Sequence, residues 1–424
     1  MNHVIIGNSF AGLFAVEAIR RCDADGDVTV ISREPQHVYS RAMIHEMLAG
    51  LVQEQMVYLR GWDFYRQMRA HSLLGYEATA IDTAAHTVTV ADEQLPYDRL
   101  LIAAGSNPFV PAIDGLGANG DGGKVEYHTF TTLEEARLLK AACAGRENAV
   151  VLGAGLIGLQ CAEALRHVGL GVTVVEMADM VLPMAVDAPA SDIIASELED
   201  EGIFLRTSNT IKRVESANGR PTACELRSGE VVPCDLLVIA VGVRANTGLA
   251  QAAGITVQRG IVVNSRMETS AADVYAAGDC AQAPEIISGM TMTIPVIPIA
   301  TTQGMIAGYN MAGRDRVYRG GLSLNALQFG GVQVVSYGFV KDEADAEVLR
   351  HSDPARKIYK KVIIKDNRIT GALFVRDIDR AGIFRHLIEN RIDVRPFKEH
   401  LLSPDFGVAH LPREERDRMF TTPQ

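Results

Sequence analysis

The sequence predicts an α/β protein: two doubly wound units built on parallel sheets, then a small C-terminal α+β domain. Three observations carry this expectation. A strand, glycine turn, helix, strand pattern occurs twice, the two turns starting at Gly7 and Gly153. Each copy is followed by a further strand that ends in small residues. From about residue 322 the pattern stops and strand-like runs take over. At 424 residues the chain is too long for one ordinary core, and roughly 150 residues per domain gives about three.

The first copy opens with His3–Ile6, turns through Gly7-Asn-Ser9-Phe10-Ala11-Gly12, runs helically from Leu13 to Arg21 and reaches a second strand at Asp27–Ser32. The second opens with Ala149–Leu152, turns through Gly153-Ala-Gly155-Leu156-Ile157-Gly158, runs helically from Leu159 to His167 and ends in Gly171–Glu176. Short apolar, β-branched runs of this kind read as buried parallel strands. A right-handed crossover then sets each helix N-terminus against its own turn. Thr87–Val90 and Leu100–Ala104 read as strands, the latter leading into Ala104-Gly105-Ser106-Asn107-Pro108. Asp235–Val241 is its counterpart and leads into Gly242-Val-Arg-Ala-Asn246. Residues 112–123 are glycine-dense and read as a connector. In the tail, Gln333–Phe339, Ile358–Ile364 and Thr370–Val375 read as strands of a mostly antiparallel sheet, with a helix at Ile383–Asn390.

Composition narrows the function. No apolar run approaches the ~20 residues a membrane-crossing helix needs; Thr291–Ala300 is broken by Pro295 and Pro298. The N-terminus enters a strand at once, without the charged region of a secretory signal, so a cytoplasmic location is expected. The six cysteines have no C-x-x-C or metal-ligand spacing, which argues for reduced thiols and against zinc, iron–sulfur or a disulfide framework. A net charge of −11 disfavours nucleic acid, whose phosphates call for lysine and arginine. Residues 350–424 carry 16 Lys/Arg against 11 Asp/Glu, a basic tail on an otherwise acidic chain.

The glycine turns carry the chemistry. The first glycine makes the turn, the second lets backbone approach a pyrophosphate, and the third lets helix and strand pack closely. The phosphates then meet free N–H groups at the positive end of the helix. The check is an acid at the end of the second strand, about 20 residues on, for the ribose hydroxyls. Gly153-x-Gly155-x-x-Gly158 passes it through Glu176. A glutamate there repels a 2′-phosphate, and no Lys or Arg follows within nine residues, so NADH is favoured over NADPH. The first copy departs from the pattern: Ser9 replaces the middle glycine and Ser32 ends the strand, leaving Glu34 as the nearest carboxylate.

A third motif, Thr269-Ser-Ala-Ala-Asp-Val-Tyr-Ala-Ala-Gly278-Asp279-Cys280, is a strand ending in Gly-Asp. With it the whole chain resembles the pyridine nucleotide-disulfide oxidoreductase superfamily. The shared elements stand in order: first turn, Ala104-Gly105, second turn, Gly242, Gly278-Asp279, then Gln303-Gly304 with Asn310 opening a helix. The resemblance implies a discontinuous FAD domain (1–112 and 246–321), an inserted NAD domain (113–245) and a C-terminal domain (322–424). It implies FAD contacts at Gly7, Ser9, Phe10, Ala11, Gly12, Glu34, Arg41, Ala104, Gly105, Gly278, Asp279, Thr301 and Thr302. A helix N-terminus near Thr301-Thr302-Gln303 would face the reduced flavin. NAD contacts are expected at Gly153, Gly155, Leu156, Ile157, Gly158, Glu176 and Gly242.

The departures from the superfamily inform most. Its disulfide reductases use a redox-active cysteine pair, and its coenzyme A disulfide reductases and many NADH oxidases a single cysteine just after the second strand, but Tyr39-Ser-Arg41-Ala-Met-Ile-His45-Glu46-Met-Leu has none. Without a thiolate, disulfide and sulfenate chemistry are closed. Tyr39-x-Arg41 and the tail are similar to NADH:rubredoxin oxidoreductases and to the flavin-binding portion of NADH-dependent nitrite reductases. Gln160 stands where relatives often carry a glutamate, with Glu163 one turn later; Gln160 and Glu46 are candidates for tuning the flavin. No catalytic side chain is expected, because hydride transfer belongs to the cofactors. The implied activity is hydride transfer from NADH to FAD, then electron transfer to a rubredoxin- or ferredoxin-type carrier or a larger redox complex. The alternatives are a peroxide-forming NADH oxidase and a slow-turnover flavoprotein acting through a partner. The basic tail, with Lys360, Lys361 and Arg385, is expected to dock an acidic carrier, and a homodimer is compatible with the superfamily.

Overall fold

The computed structural model describes residues 1–116 and 125–420; of the expected connector, residues 117–123 lie outside the described residues. The chain divides into two compact units. One comprises Met1–Phe109, Thr131–Ala136 and Gly242–Gly321; the other comprises Val110–Phe130, Arg137–Val241 and the chain from Leu322 onward.

The first unit is built on a five-stranded parallel sheet in the order Val274–Ala276, Arg99–Ile102, Asn2–Ile6, Asp27–Ser32, Ala70–Leu74. Asn2–Ile6 lies at its centre, with Ile5 opposite Val30 on one side and Leu101 on the other. The inner strands of the sheet are rich in apolar residues, as strands sheltered on both faces are; Val4, Ile5, Val28, Val30, Leu100 and Leu101 are all buried, whereas the edge strand Ala70–Leu74 is partly exposed. The helix Phe10–Cys22 follows the first strand and turns its Leu13, Val16 and Ile19 into the same core. Thr87–Val90 belongs to a separate antiparallel sheet with Ala78–Asp82 and Glu93–Pro96.

The helix expected to begin near Thr301 begins at Ile297 and runs to Met311. Thr301 and Thr302 therefore lie in its second turn, and Asn310 lies near its end rather than its start. Pro298 explains the difference. Read as a breaker, it sits in the first turn, where its missing N–H costs nothing and its fixed φ suits the helix. The Asn310 amide instead ties down the carbonyls of Arg266 and Arg316, each at 2.9 Å.

The second unit holds a four-stranded parallel sheet, Ile203–Arg206, Gly171–Val175, Asn148–Leu152, Leu236–Ile239, with the helix Leu156–His167 after its central strand. Its C-terminal part is a five-stranded antiparallel sheet in the order Leu324–Phe329, Val332–Gly338, Arg368–Val375, Ile358–Lys365, Glu347–Asp353. The amphipathic helix Ala381–Glu389 packs on it, Phe384 meeting Phe374 with ring centroids 4.7 Å apart. Among the described residues no helix is long and apolar enough to cross a membrane.

Candidate functional site: two dinucleotide turns

Both glycine turns are closed by backbone geometry that excludes a side chain. Gly7 has φ +124° and Gly153 φ +110°, in the region where only glycine is unstrained. A Cβ on Gly12 would lie 2.0 Å from the Gly7 carbonyl oxygen, and one on Gly158 2.0 Å from that of Gly153. The turns are anchored alike: the Gly7 N–H donates to Ile31 O and the Gly153 N–H to Val175 O, both at 2.8 Å.

The helices that follow begin bare. Ser9 and Gly155 are the N-cap residues, neither helix has a side-chain cap, and neither has an acid in its first turn. The Ala188–Asp200 helix differs, its N-cap Asp187 accepting the Ala190 N–H. Uncapped first-turn N–H groups and the positive end of the helix dipole suit a pyrophosphate, so both turns fit a dinucleotide. Phe10 and Ala11 form the first turn after Ser9; Leu156 and Ile157 form that after Gly155.

Glu176 sits just past the Gly171–Val175 strand, and both its carboxylate oxygens are engaged. Oε2 accepts the Ala154 N–H at 2.7 Å and Oε1 the Ala178 N–H at 2.8 Å. The carboxylate thus stands against the turn itself. On the following helix Gln160 precedes Glu163, whose carboxylate accepts the Gly330 N–H at 2.8 Å. Burial pushes the Glu163 carboxyl up to about 7.

In the first unit Glu34, Tyr39 and Arg41 come together. The Tyr39 hydroxyl donates to Glu34 Oε2 at 2.5 Å and accepts the Leu133 N–H at 3.0 Å. Arg41 pairs with Glu34 Oε1 through one nitrogen and donates to Thr131 O at 2.6 Å through another. Tyr39 is buried, and burial pushes its phenol well above the usual range. Glu46 and His45 lie on the short helix Ile44–Ala49, where burial pulls the His45 imidazole below its ordinary value.

At the end of the Val274–Ala276 strand, the Ser106 hydroxyl donates to Asp279 Oδ2 at 3.1 Å, and burial raises the Asp279 carboxyl. The Gly278 N–H donates to Oε1 of buried Gln303 at 2.9 Å. Ala104 and Gly105 are held by Asn246, whose amide donates to Ala104 O at 2.8 Å and whose N–H donates to Gly105 O at 2.9 Å. Gly242 opens the strand Val243–Ala245, which pairs antiparallel with Ser106–Pro108.

Sequence reasoning did not foresee the partners that fix these groups: Tyr39 on Glu34, Ser106 on Asp279, Gln303 on Gly278. The first and third had a signal in the Tyr39-x-Arg41 and Gln303-Gly304 motifs; Ser106 had none beyond its place after Gly105. No cysteine lies near Arg41 in the sequence, and Cys161, Cys224, Cys234 and Cys280 are buried. The Cys280 thiol donates to Ile102 O and Ala277 O, both at 3.4 Å, and burial pushes it up to about 11. It is a packed thiol, not a reactive one.

The expected docking face on the basic tail needs correction. Lys361 is 2% exposed and Lys360 9%; Lys360 pairs with Asp377 at 2.6 Å. Arg385 is exposed but paired with Glu389 at 2.8 Å. Counting charges along the sequence cannot tell a solvated lysine from one folded into a sheet against a carboxylate.

Two family models match this chain. Pyridine nucleotide-disulphide oxidoreductase matches residues 1–304, and the rubredoxin NAD+ reductase C-terminal domain matches residues 324–392. The epsilon subunit of NADH-dependent phenylglyoxylate dehydrogenase from Aromatoleum evansii is 33% identical over 419 residues, covering 96% of each chain. The nitrite reductase [NAD(P)H] of Bacillus subtilis (strain 168) is 30% identical over 394 residues, covering 92% of this chain; the match spans only 47% of that longer protein. Among solved structures, a NAD-dependent persulfide reductase from A. fulgidus superposes with a TM-score of 0.85 at 28% identity, covering 93% of this chain and 78% of that one.

Proposed function

Since the chain belongs to the pyridine nucleotide-disulphide oxidoreductase family, with FAD and NADH as its cofactors, we propose that it moves a hydride from NADH to FAD and electrons onward to a protein redox partner. That partner is a rubredoxin- or ferredoxin-type carrier or a larger redox complex. The observation that carries the reading is two bare, glycine-closed dinucleotide turns in one chain whose segment after the second strand, Tyr39–Leu48, has no cysteine. A disulfide or peroxide route through a thiolate is thereby closed, and electrons must leave the flavin for an external acceptor. The C-terminal match to rubredoxin NAD+ reductase supports a small carrier; the full-length likeness to a dehydrogenase subunit supports a larger assembly.

FAD, when bound, supplies the hydride acceptor and the ability to release electrons singly. The chain's own residues bind and orient. The uncapped helix at Ser9 takes the FAD pyrophosphate, with Arg41 alongside, while Glu34 and Asp279 take its ribose and ribityl hydroxyls. Gly278, Ala104, Gly105 and the Thr301–Thr302 turn complete that cradle. Gly153 to Gly158 take the NADH pyrophosphate. Glu176 accepts from the adenosine ribose and disfavours a 2′-phosphate by charge. Glu46, on the short helix Ile44–Ala49 of the same unit as the FAD turn, is placed to tune the flavin.

The test is anaerobic stopped-flow mixing of holoprotein with NADH, followed by rubredoxin, ferredoxin and O₂ in separate runs. Rapid flavin bleaching, with reoxidation fast for one carrier and slow for O₂, is the expected result. Fast reoxidation by O₂ alone makes the protein an oxidase, and no bleaching overturns hydride transfer.

A further inference from the structure

Lys361 lies deeper than any other lysine among the described residues, 2% exposed. It stands on the strand Ile358–Lys365 of the C-terminal sheet, and three acceptors surround its ammonium: Val340 O at 2.6 Å, Asp342 Oδ1 at 2.8 Å and Asp187 Oδ2 at 2.9 Å. Tyr359, two residues away and therefore on the same face of the strand, donates its hydroxyl to the same Asp187 oxygen at 2.8 Å. A buried, fully satisfied cation is costly to place and costly to disturb.

What it grips is not part of the C-terminal sheet. Asp187 is the N-cap of the helix Ala188–Asp200, and the chain just before it reaches back to the glycine turn. The Leu182 N–H donates to Ala154 O at 2.9 Å, and Ala154 is the residue between Gly153 and Gly155 whose N–H binds Glu176. The Val181 N–H donates to Ser191 Oγ at 3.0 Å, fastening the same segment to the helix. Leu182 is buried with φ +52°, a left-handed conformation that a leucine keeps only when its surroundings impose it. Its carbonyl accepts the N–H groups of Ala185 and Val186 at 2.8 and 3.1 Å, so the strained turn runs straight into Asp187.

We propose that Lys361, with Tyr359, is a positioning residue for NADH. By holding Asp187 it fixes the Val181–Val186 segment, and so the Ala154 peptide against which Glu176 and the dinucleotide are set. The C-terminal domain thus serves the nicotinamide nucleotide site of its own unit as well as any docking role. This rests on reading Gly153–Gly158 as the NADH turn.

The test compares wild type, Tyr359→Phe and Lys361→Met as holoproteins, with NADH as donor and ferricyanide as acceptor. Tyr359→Phe removes one hydrogen bond and no charge, so it remains informative should Lys361→Met fold poorly. Both variants are expected to raise the KM for NADH: Tyr359→Phe by up to roughly ten- to a hundred-fold, as for loss of one hydrogen bond to a charged group, and Lys361→Met, which removes three contacts and the cation, by at least as much. The kcat and bound FAD should stay within about two-fold of wild type, the signature of lost binding rather than lost chemistry. Lys361→Arg, which keeps the cation, should recover part of the loss. An unchanged KM in flavin-replete Tyr359→Phe and Lys361→Met overturns the proposal, as does a fall in flavin content and kcat that accounts for the whole effect. Failure of NADH to reduce the wild type overturns the reading of the turn instead.

Discussion

The hydroxyl of Tyr39 bonds Glu34 Oε2 at 2.5 Å while accepting the Leu133 N–H at 3.0 Å, so one buried phenol both sets a carboxylate and pins a backbone N–H from a distant part of the chain. Arg41 closes the arrangement by pairing with the other Glu34 oxygen. Tyr39→Phe keeps the ring's packing and removes both bonds. Two hydrogen bonds, one of them to a charged group, are together worth about 2–3 kcal/mol, so FAD should bind roughly thirty-fold more weakly. Fluorescence of released flavin on dilution measures this. Unaltered FAD affinity would detach Glu34 from the flavin site.

Glu176 faces the second turn with both oxygens on backbone N–H groups. Glu176→Ala should weaken NADH by roughly ten- to a hundred-fold, the range for a lost charge-assisted bond, and weaken NADPH much less, because the repulsion goes with the charge. The ratio of KM values for the two nucleotides is the readout. An unchanged ratio would place the carboxylate away from the ribose.

Much of this site is legible in sequence because its constraints act on backbone. Gly7, Gly12, Gly153 and Gly158 are required where a Cβ would strike a carbonyl oxygen, and a chain records that need as glycine at fixed spacing. The inner strands are legible as well, because a strand buried on both faces reads as an apolar run. What escapes is whatever depends on residues far apart in the chain. Lys361 and Asp187 are ordinary charged residues until the fold buries them together, and nothing near either marks the pairing. Pro298 misled in a different way, since a proline that ends one helix can open another, and only the cap position distinguishes them.

Gln303 gives the flavin side a second testable support. Its buried Oε1 accepts the Gly278 N–H at 2.9 Å, immediately before Asp279. Gln303→Leu fills the same space but orphans that N–H, a cost of about 1–3 kcal/mol. The Gly278–Asp279 turn should loosen and FAD be lost roughly ten-fold more readily, while binding of NAD⁺ to the apoprotein stays as in wild type. Equal loss of both ligands would mark general unfolding instead.

Glu163 makes stability depend on pH in the sense opposite to most carboxylates. Burial raises its carboxyl from 4.5 to about 7, with Glu201 as a like-charged neighbour and the Gly330 N–H as its hydrogen-bond partner. A folded value above the unfolded one means that the fold favours the neutral acid. The penalty is therefore absent below about pH 4.5, grows as pH rises and is complete above about 7. Wild type should lose thermal stability between pH 6 and pH 8 through this group. Glu163→Gln keeps an acceptor for Gly330 without the charge, and should be the more stable protein at pH 8 by roughly 1–2 kcal/mol, the site being partly open to solvent. Thermal unfolding of both proteins at the two pH values decides it. Parallel pH slopes would show the Glu163 charge to be solvated, and a steeper slope in the variant would reverse the argument.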